Sequence, residues 1–121
     1  MSQARQGQSE RKKYFHMLQA VKDFLSEQSE EIRQELNNII WKLEVDGMLR
    51  MPYGEKVKGE DSLFAIRVIQ AGNVRVFYAY GTDNMVYGLH GYVKKTAEIP
   101  VHEKNHAVKV LRQLKKGGLV K

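Results

Sequence analysis

The spacing of apolar side chains changes twice along this chain, and each change marks a boundary between helix and sheet. Tyr14, Phe15, Leu18, Val21, Phe24 and Leu25 recur at intervals of three and four, as do Ile32, Leu36, Ile39, Ile40 and Leu43 further on. Those intervals put each set on one side of an α-helix. Ser26 or Ser29 can cap the second helix, Glu30 and Glu31 fall in a first turn where the dipole favours acids, and Gly47 supplies a stop. Arg11–Met17 also fits an extended strand feeding a shorter first helix, and both readings are open at this level.

After the turn signal Met51-Pro-Tyr-Gly the interval falls to two. Phe64, Ile66 and Val68 alternate with Ala65, Arg67 and Ile69, and Val74, Val76, Tyr78 and Tyr80 alternate with Arg75, Phe77 and Ala79. Turn signals at Ala71-Gly-Asn and Gly81-Thr-Asp-Asn set these runs apart from a third, Met85 to Lys94, rich in Val, Tyr and Leu. Pro100 then precedes a last helical pattern of Ala107, Val108, Leu111 and Leu114, which Gly117 and Gly118 end. The order α, α, β, β, β, α predicts an α+β fold. Two N-terminal helices should pack on one face of a small antiparallel sheet, leaving the other face polar and open, with a C-terminal helix after it. Residues 1–10 are polar and small and are expected to form a flexible tail, with 11–121 as a single domain.

Several function classes fall away on composition. With no cysteine there is no disulfide framework, thiolate metal site or cysteine nucleophile. His102 and His106 share a helical interval of four and could chelate, but no matching third ligand accompanies them, and solvated positions beside lysines explain them as well. No metal or cofactor is expected. No apolar run approaches the roughly 20 residues that span a bilayer, and Met1–Glu10 lacks the apolar stretch of a signal peptide. The expectation is a cytoplasmic protein without a membrane partner.

Charge is unevenly spread. From Met85 to Lys121 eight lysines and arginines face two glutamates, a net of +6, whereas Ser29 to Asp61 holds five bases and eight acids, a net of −3. The C-terminal third therefore attracts polyanions or an acidic protein segment.

Two features could carry chemistry. Arg67 and Arg75 each sit mid-strand, out of phase with an apolar run, so alternation directs both guanidiniums away from that stripe. A planar guanidinium suits bidentate binding of phosphate, although an arginine on a solvated sheet face is the plainer explanation. His90, Tyr92 and Lys94 share parity at the end of the third strand and line up a proton-transfer group, a ring and a cation. RNA cleavage by the ribose 2′-hydroxyl needs a base, charge stabilisation at phosphorus and an acid. A histidine at a strand end with lysines guarding the edge would look the same.

The segments Leu63-Phe-Ala-Ile-Arg-Val, Asn73-Val-Arg-Val-Phe-Tyr, Tyr80-Gly-Thr-Asp and Leu89-His-Gly-Tyr-Val-Lys-Lys-Thr together resemble the phage-derived HigB-like branch of the RelE/ParE toxin superfamily. The likeness runs from Pro52 to Leu114, about half the chain. It departs from the family pattern at Ala65, where glutamate is usual, and at Glu98-Ile-Pro, where Lys-Thr-Pro is commoner. The resemblance implies a RelE-like fold and a ribosome-dependent endoribonuclease (an mRNA interferase) that inhibits translation. It also implies a cognate helix-turn-helix antitoxin, HigA-like, that silences the toxin. Carried over residue by residue, it makes Arg67, Arg75, His90, Tyr92 and Lys94 catalytic, and gives Lys58 and Lys95 to RNA phosphates. The competing readings are a ParE-like gyrase inhibitor acting by protein contact, and an inactive prophage remnant that only binds its antitoxin.

Overall fold

Ser29 Oγ accepts a hydrogen bond from the backbone N–H of Ile32, Glu30 and Glu31 occupy the first turn, and Gly47 takes a left-handed conformation at φ 82°. These three features delimit helix α2, Glu30–Asp46, in the computed structural model, which describes residues 11–121. The expected tail, 1–10, lies outside the described residues. The remaining elements are β1 (Tyr14–Met17), α1 (Gln19–Ser26), β2 (Gly54–Lys56), β3 (Phe64–Val68), β4 (Val74–Tyr80), β5 (Met85–Val93) and α3 (Val101–Lys116). The α+β class is thus as expected.

The sheet differs from the expectation. It has five strands in the order β1-β5-β4-β3-β2 and is mixed, because β1 runs parallel to β5 while the other pairs are antiparallel. Of the two readings of Arg11–Met17, the strand is the one observed, followed by a helix of eight residues. The end of α2 holds that strand. Glu44 accepts the N–H of Phe15 on its carboxylate at 2.8 Å, and its backbone carbonyl accepts from Lys12 and Lys13. A four-residue strand has no stability of its own and forms where such partners exist. Strand β2, also unforeseen, is a three-residue edge on β3.

Alternation gives the sheet two faces. Ile66, Val68, Val74, Val76, Tyr78 and Val86 pack with Val21, Leu25, Leu36, Ile39, Ile40 and Leu43 beneath α1 and α2. Gly91 lets α1 approach, since a Cβ there would meet the Phe24 ring at 2.6 Å. Ala65, Phe77, Ala79, Tyr87, Leu89 and Tyr92 pack on the opposite side with Ala107, Val108 and Leu111 of α3. That second face was expected to stay open. Instead α3 covers much of it, because Ala107, Val108 and Leu111 form an apolar stripe that must itself be buried.

One irregularity matters for chemistry. Phe77 pairs with His90, whereas Tyr78 pairs with Gly88, so Leu89 is an extra residue and β5 carries a bulge. Leu89 and His90 consequently both point towards α3, and everything after them, including Tyr92, keeps that new phase.

Candidate active site

Strand register assembles the site. Arg67 lies opposite Arg75, and Arg75 lies opposite Tyr92, so three adjacent strands present a row of two guanidiniums and a phenol. The neighbouring row is Glu55, Ala65, Phe77 and His90. All of these residues share the face under α3, as alternation requires of Arg67 and Arg75.

Burial along the row is uneven. Arg75 is only 3% exposed and Tyr92 4%, while the Arg67 side chain keeps 27%. Arg75 donates from Nη1 to Asn73 Oδ1 and to the carbonyl of Val74, both at 3.1 Å. The Glu55 carboxylate stands 3.5 Å from Arg67 Nε and 3.8 Å from Arg75 Nε. Those are ion-pair distances rather than hydrogen bonds. Arg67 Nε, Arg75 Nε and the Tyr92 hydroxyl are therefore buried polar atoms with no hydrogen-bond partner. Such orphaned donors are uncommon and call for a ligand or a cost in stability. Burial lowers the Arg75 pKa and the facing Arg67 lowers it further, with Glu55 and Tyr92 opposing. Burial pushes the Tyr92 hydroxyl up to about 12, against the pull of Arg75. Tyr92 thus keeps its proton near neutrality and can donate a hydrogen bond.

A second group adjoins the first. His90 Nε2 lies 2.6 Å from Glu103 Oε1, and the other carboxylate oxygen lies 3.3 Å from His102 Nε2. Glu103 belongs to the first turn of α3, so that helix delivers a carboxylate to a histidine on the sheet. The His90 ring lies parallel to Phe77 and 4.3 Å from the His106 ring, centre to centre.

Four of the seven sequence candidates, Arg67, Arg75, His90 and Tyr92, are therefore brought together. The parity row ends at Tyr92. Lys94 follows the last residue of β5 and turns its ammonium to the carbonyls of Thr96 and Ala97, at 2.7 and 2.9 Å, pinning its own loop. Lys95 is exposed, as is Lys58 in the turn after β2, where Lys104 Nζ donates to the Lys58 carbonyl. Tyr92 stacks on Phe77 and is too buried to offer a ring to a base. His102 and His106 do not chelate together: one meets Glu103, the other His90, and no cluster of three or more metal-binding side chains occurs among the described residues.

Sequence reasoning missed Glu55 and Glu103, and weighed His106 only as a chelating partner of His102 rather than as a neighbour of His90. Glu55 sits in a strand too short to show alternation. Glu103 and His106, one helical turn apart, could have been noticed as the polar flank of an otherwise basic helix. Glu55 also stands directly across from Ala65, the position at which the resemblance expects a glutamate. The carboxylate is present in the site, supplied by the neighbouring strand.

The family model described as Phage derived protein Gp49-like (DUF891) matches residues 23–112, from within α1 to within α3. The chain belongs to this phage-derived, RelE/toxin-like family. The matched stretch contains Glu55, Arg67, Arg75, His90, Tyr92 and Glu103. No curated protein matches the chain.

Proposed function

We propose that this protein is the toxin of a type II toxin–antitoxin pair, of the HigB-like, RelE-like kind, and that it cuts messenger RNA on the ribosome. The observation that carries the reading is the row Arg67, Arg75, Tyr92, with three buried donors that have no acceptor. A phosphodiester supplies acceptor oxygens and one negative charge, matching the one positive charge left by the two guanidiniums and the adjoining Glu55 carboxylate. In the proposed reaction the ribose 2′-oxygen bonds to phosphorus as the bond to the 5′-oxygen breaks. Arg67 and Arg75 stabilise the charge that grows on the phosphoryl oxygens. His90, held by Glu103, exchanges protons with the attacking or departing oxygen. The Tyr92 hydroxyl donates a hydrogen bond. Lys58 and Lys95 meet flanking phosphates from outside the row, and Lys94 contributes by ordering its loop. A gyrase inhibitor acting by contact alone would have no use for a histidine–carboxylate pair set beside two guanidiniums.

The proposed partner is a helix-turn-helix antitoxin, HigA-like. Helix α3 carries five bases against one acid, which suits an acidic covering segment. The apolar sides of the N-terminal helices are buried against the sheet, so the other docking possibility is the outer side of α2, which exposes Trp41. Salt titration of the co-purified complex separates the two.

The test of function is primer extension on mRNA from a translating extract. The wild type should produce cuts that depend on ribosomes, and Arg67→Ala combined with Arg75→Met should slow them about 100-fold. An unchanged cut pattern in that double variant sinks the assignment. Growth arrest with intact mRNA and broken DNA would favour the gyrase reading instead.

A further inference from the structure

Arg67 and Arg75 face each other on adjacent strands and repel, which adds to the larger effect of burial in lowering the Arg75 pKa. Arg75 cannot move away, because it is buried and tied to Asn73 and Val74. Arg67 can. Its side chain is partly exposed and makes no side-chain hydrogen bond among the described residues, so repulsion alone would turn it towards solvent. What opposes this is Glu55, whose single Oε1 lies within 4 Å of both Nε atoms.

We propose that Glu55 is the positioning residue of this site. Its carboxylate holds the two guanidiniums side by side, each Nε within 4 Å of one oxygen, as a pair that a phosphate can meet, without hydrogen-bonding to either. The geometry supports each half of that statement. Distances of 3.5 and 3.8 Å give Coulombic attraction, while both Nε–H groups remain without an acceptor. The backbone reinforces the placement. Glu55 is paired with Ala65, a small buried residue on the same face of β3 as Arg67. Strand β2 is an edge strand of three residues, and the Arg67 N–H bonds the carbonyl of Tyr53 at 2.8 Å just before it, fixing the height at which Glu55 enters the row. The inference rests on the phosphate-binding reading of Arg67 and Arg75 but not on cleavage.

The experiment has an arm without RNA and an arm with it. In the free protein, the Nε–Hε signals of Arg67 and Arg75 are recorded by nitrogen–proton NMR and assigned by their loss in Arg67→Lys and Arg75→Lys. Glu55→Gln should shift both signals and speed water exchange at Arg67 at least about fivefold, with Glu55→Asp intermediate. Inorganic phosphate should shift both wild-type signals together, and in Glu55→Gln that paired response should be lost. In ribosome-containing extract, Glu55→Gln should cut about 10- to 100-fold more slowly, the scale of losses from misplaced reacting groups, and Glu55→Asp should recover most of the rate. Moving the carboxylate, as Glu55→Ala with Ala65→Glu, should restore the paired phosphate response. If that double variant does not fold, Glu55→Asp against Glu55→Gln decides the matter. Arginine signals indifferent to Glu55→Gln overturn the proposal, whatever happens to cleavage. Arginines held by Glu55 in a protein that never cuts RNA would leave positioning intact and remove the endonuclease reading.

Discussion

The face of the sheet under α1 and α2 and the face under α3 are made by the same strands, yet only the first is apolar throughout. On the first, Ile66, Val68, Val74 and Val76 meet Leu36, Ile39 and Leu43 with almost no exposed surface. On the second, Ala65, Phe77 and Leu89 give way within one or two residues to Arg67, Arg75 and His90. Period-two alternation lets one strand serve both purposes, because consecutive side chains belong to different environments. A small domain tolerates an arginine that is 3% exposed because the strands bearing it are anchored from behind by a complete core. Stability and the proposed chemistry are therefore separable by face.

The sharpest way to break that division is a cavity on the apolar face. Leu43→Ala, at a fully buried position, should lower stability by about 3–5 kcal/mol. Cleavage per folded molecule should not change, as read from denaturation curves beside extract assays. Activity lost in proportion to neither would mean that the faces are coupled.

The converse substitution comes next. Arg75→Met keeps volume while removing a buried charge and an unsatisfied Nε, so the denaturation midpoint should hold or rise. Cleavage should fall at least about tenfold, and about 100-fold with Arg67→Ala added, since a lost charge-stabilising donor is worth roughly 2–4 kcal/mol in the transition state. A large fall in stability would place Arg75 among the residues that hold the fold.

Alkali probes both faces together. Burial raises the hydroxyl pKa of Tyr78 and Tyr80 as well as that of Tyr92. A phenol that holds its proton more tightly when folded contributes stability that is complete below the unfolded pKa of about 10. That contribution is lost as pH rises through the folded values, towards about 12 for Tyr92. Urea melts between pH 8 and about 11.5 should therefore show stability falling from about pH 10 upward. Tyr92→Phe should make the fall shallower by the share belonging to the α3 face, and an unchanged slope would contradict the burial of that hydroxyl.

The smallest effect tests how α2 grips the sheet. The Glu35 carboxylate accepts the backbone N–H groups of Ile69, Gln70 and Ala71 in the turn between β3 and β4. Burial works against the charged form, but the three amides outweigh it and the pKa is lowered. A depressed folded pKa gives stability that is present above the unfolded value and lost as pH falls through the folded one. Glu35→Gln should cost about 1–2 kcal/mol at neutral pH, the lower range for charged acceptors at a half-exposed site. The gap between wild type and variant should close below about pH 4. A constant gap across pH 3–7 would mean that the charge contributes nothing.

Much of this was legible in the sequence because it is written in local spacing. The capping serine, first-turn acids and Gly47 delimit α2, and alternation alone directs Arg67 and Arg75 to the face away from α1 and α2. His90 and Tyr92 share a side as their parity requires, because the bulge falls just before them; Lys94 does not continue the row, because the strand ends at Val93.

By itself, then, the sequence determined the helices α2 and α3, the three long strands and the phase of the two arginines, all of which depend on neighbours a few residues away. Tertiary structure alone decided that Tyr14–Met17 is a strand, since its partners are Met85–Gly88 and Glu44. It also decided that Glu55 and Glu103 meet the arginines and the histidine. Those encounters join residues separated by 12 to 20 positions in Glu55–Arg67 and Glu55–Arg75, and by 13 in His90–Glu103. Their geometry is set by which strand lies beside which and by where α3 comes to rest. Such placements follow from burying two faces at once, which no local pattern encodes.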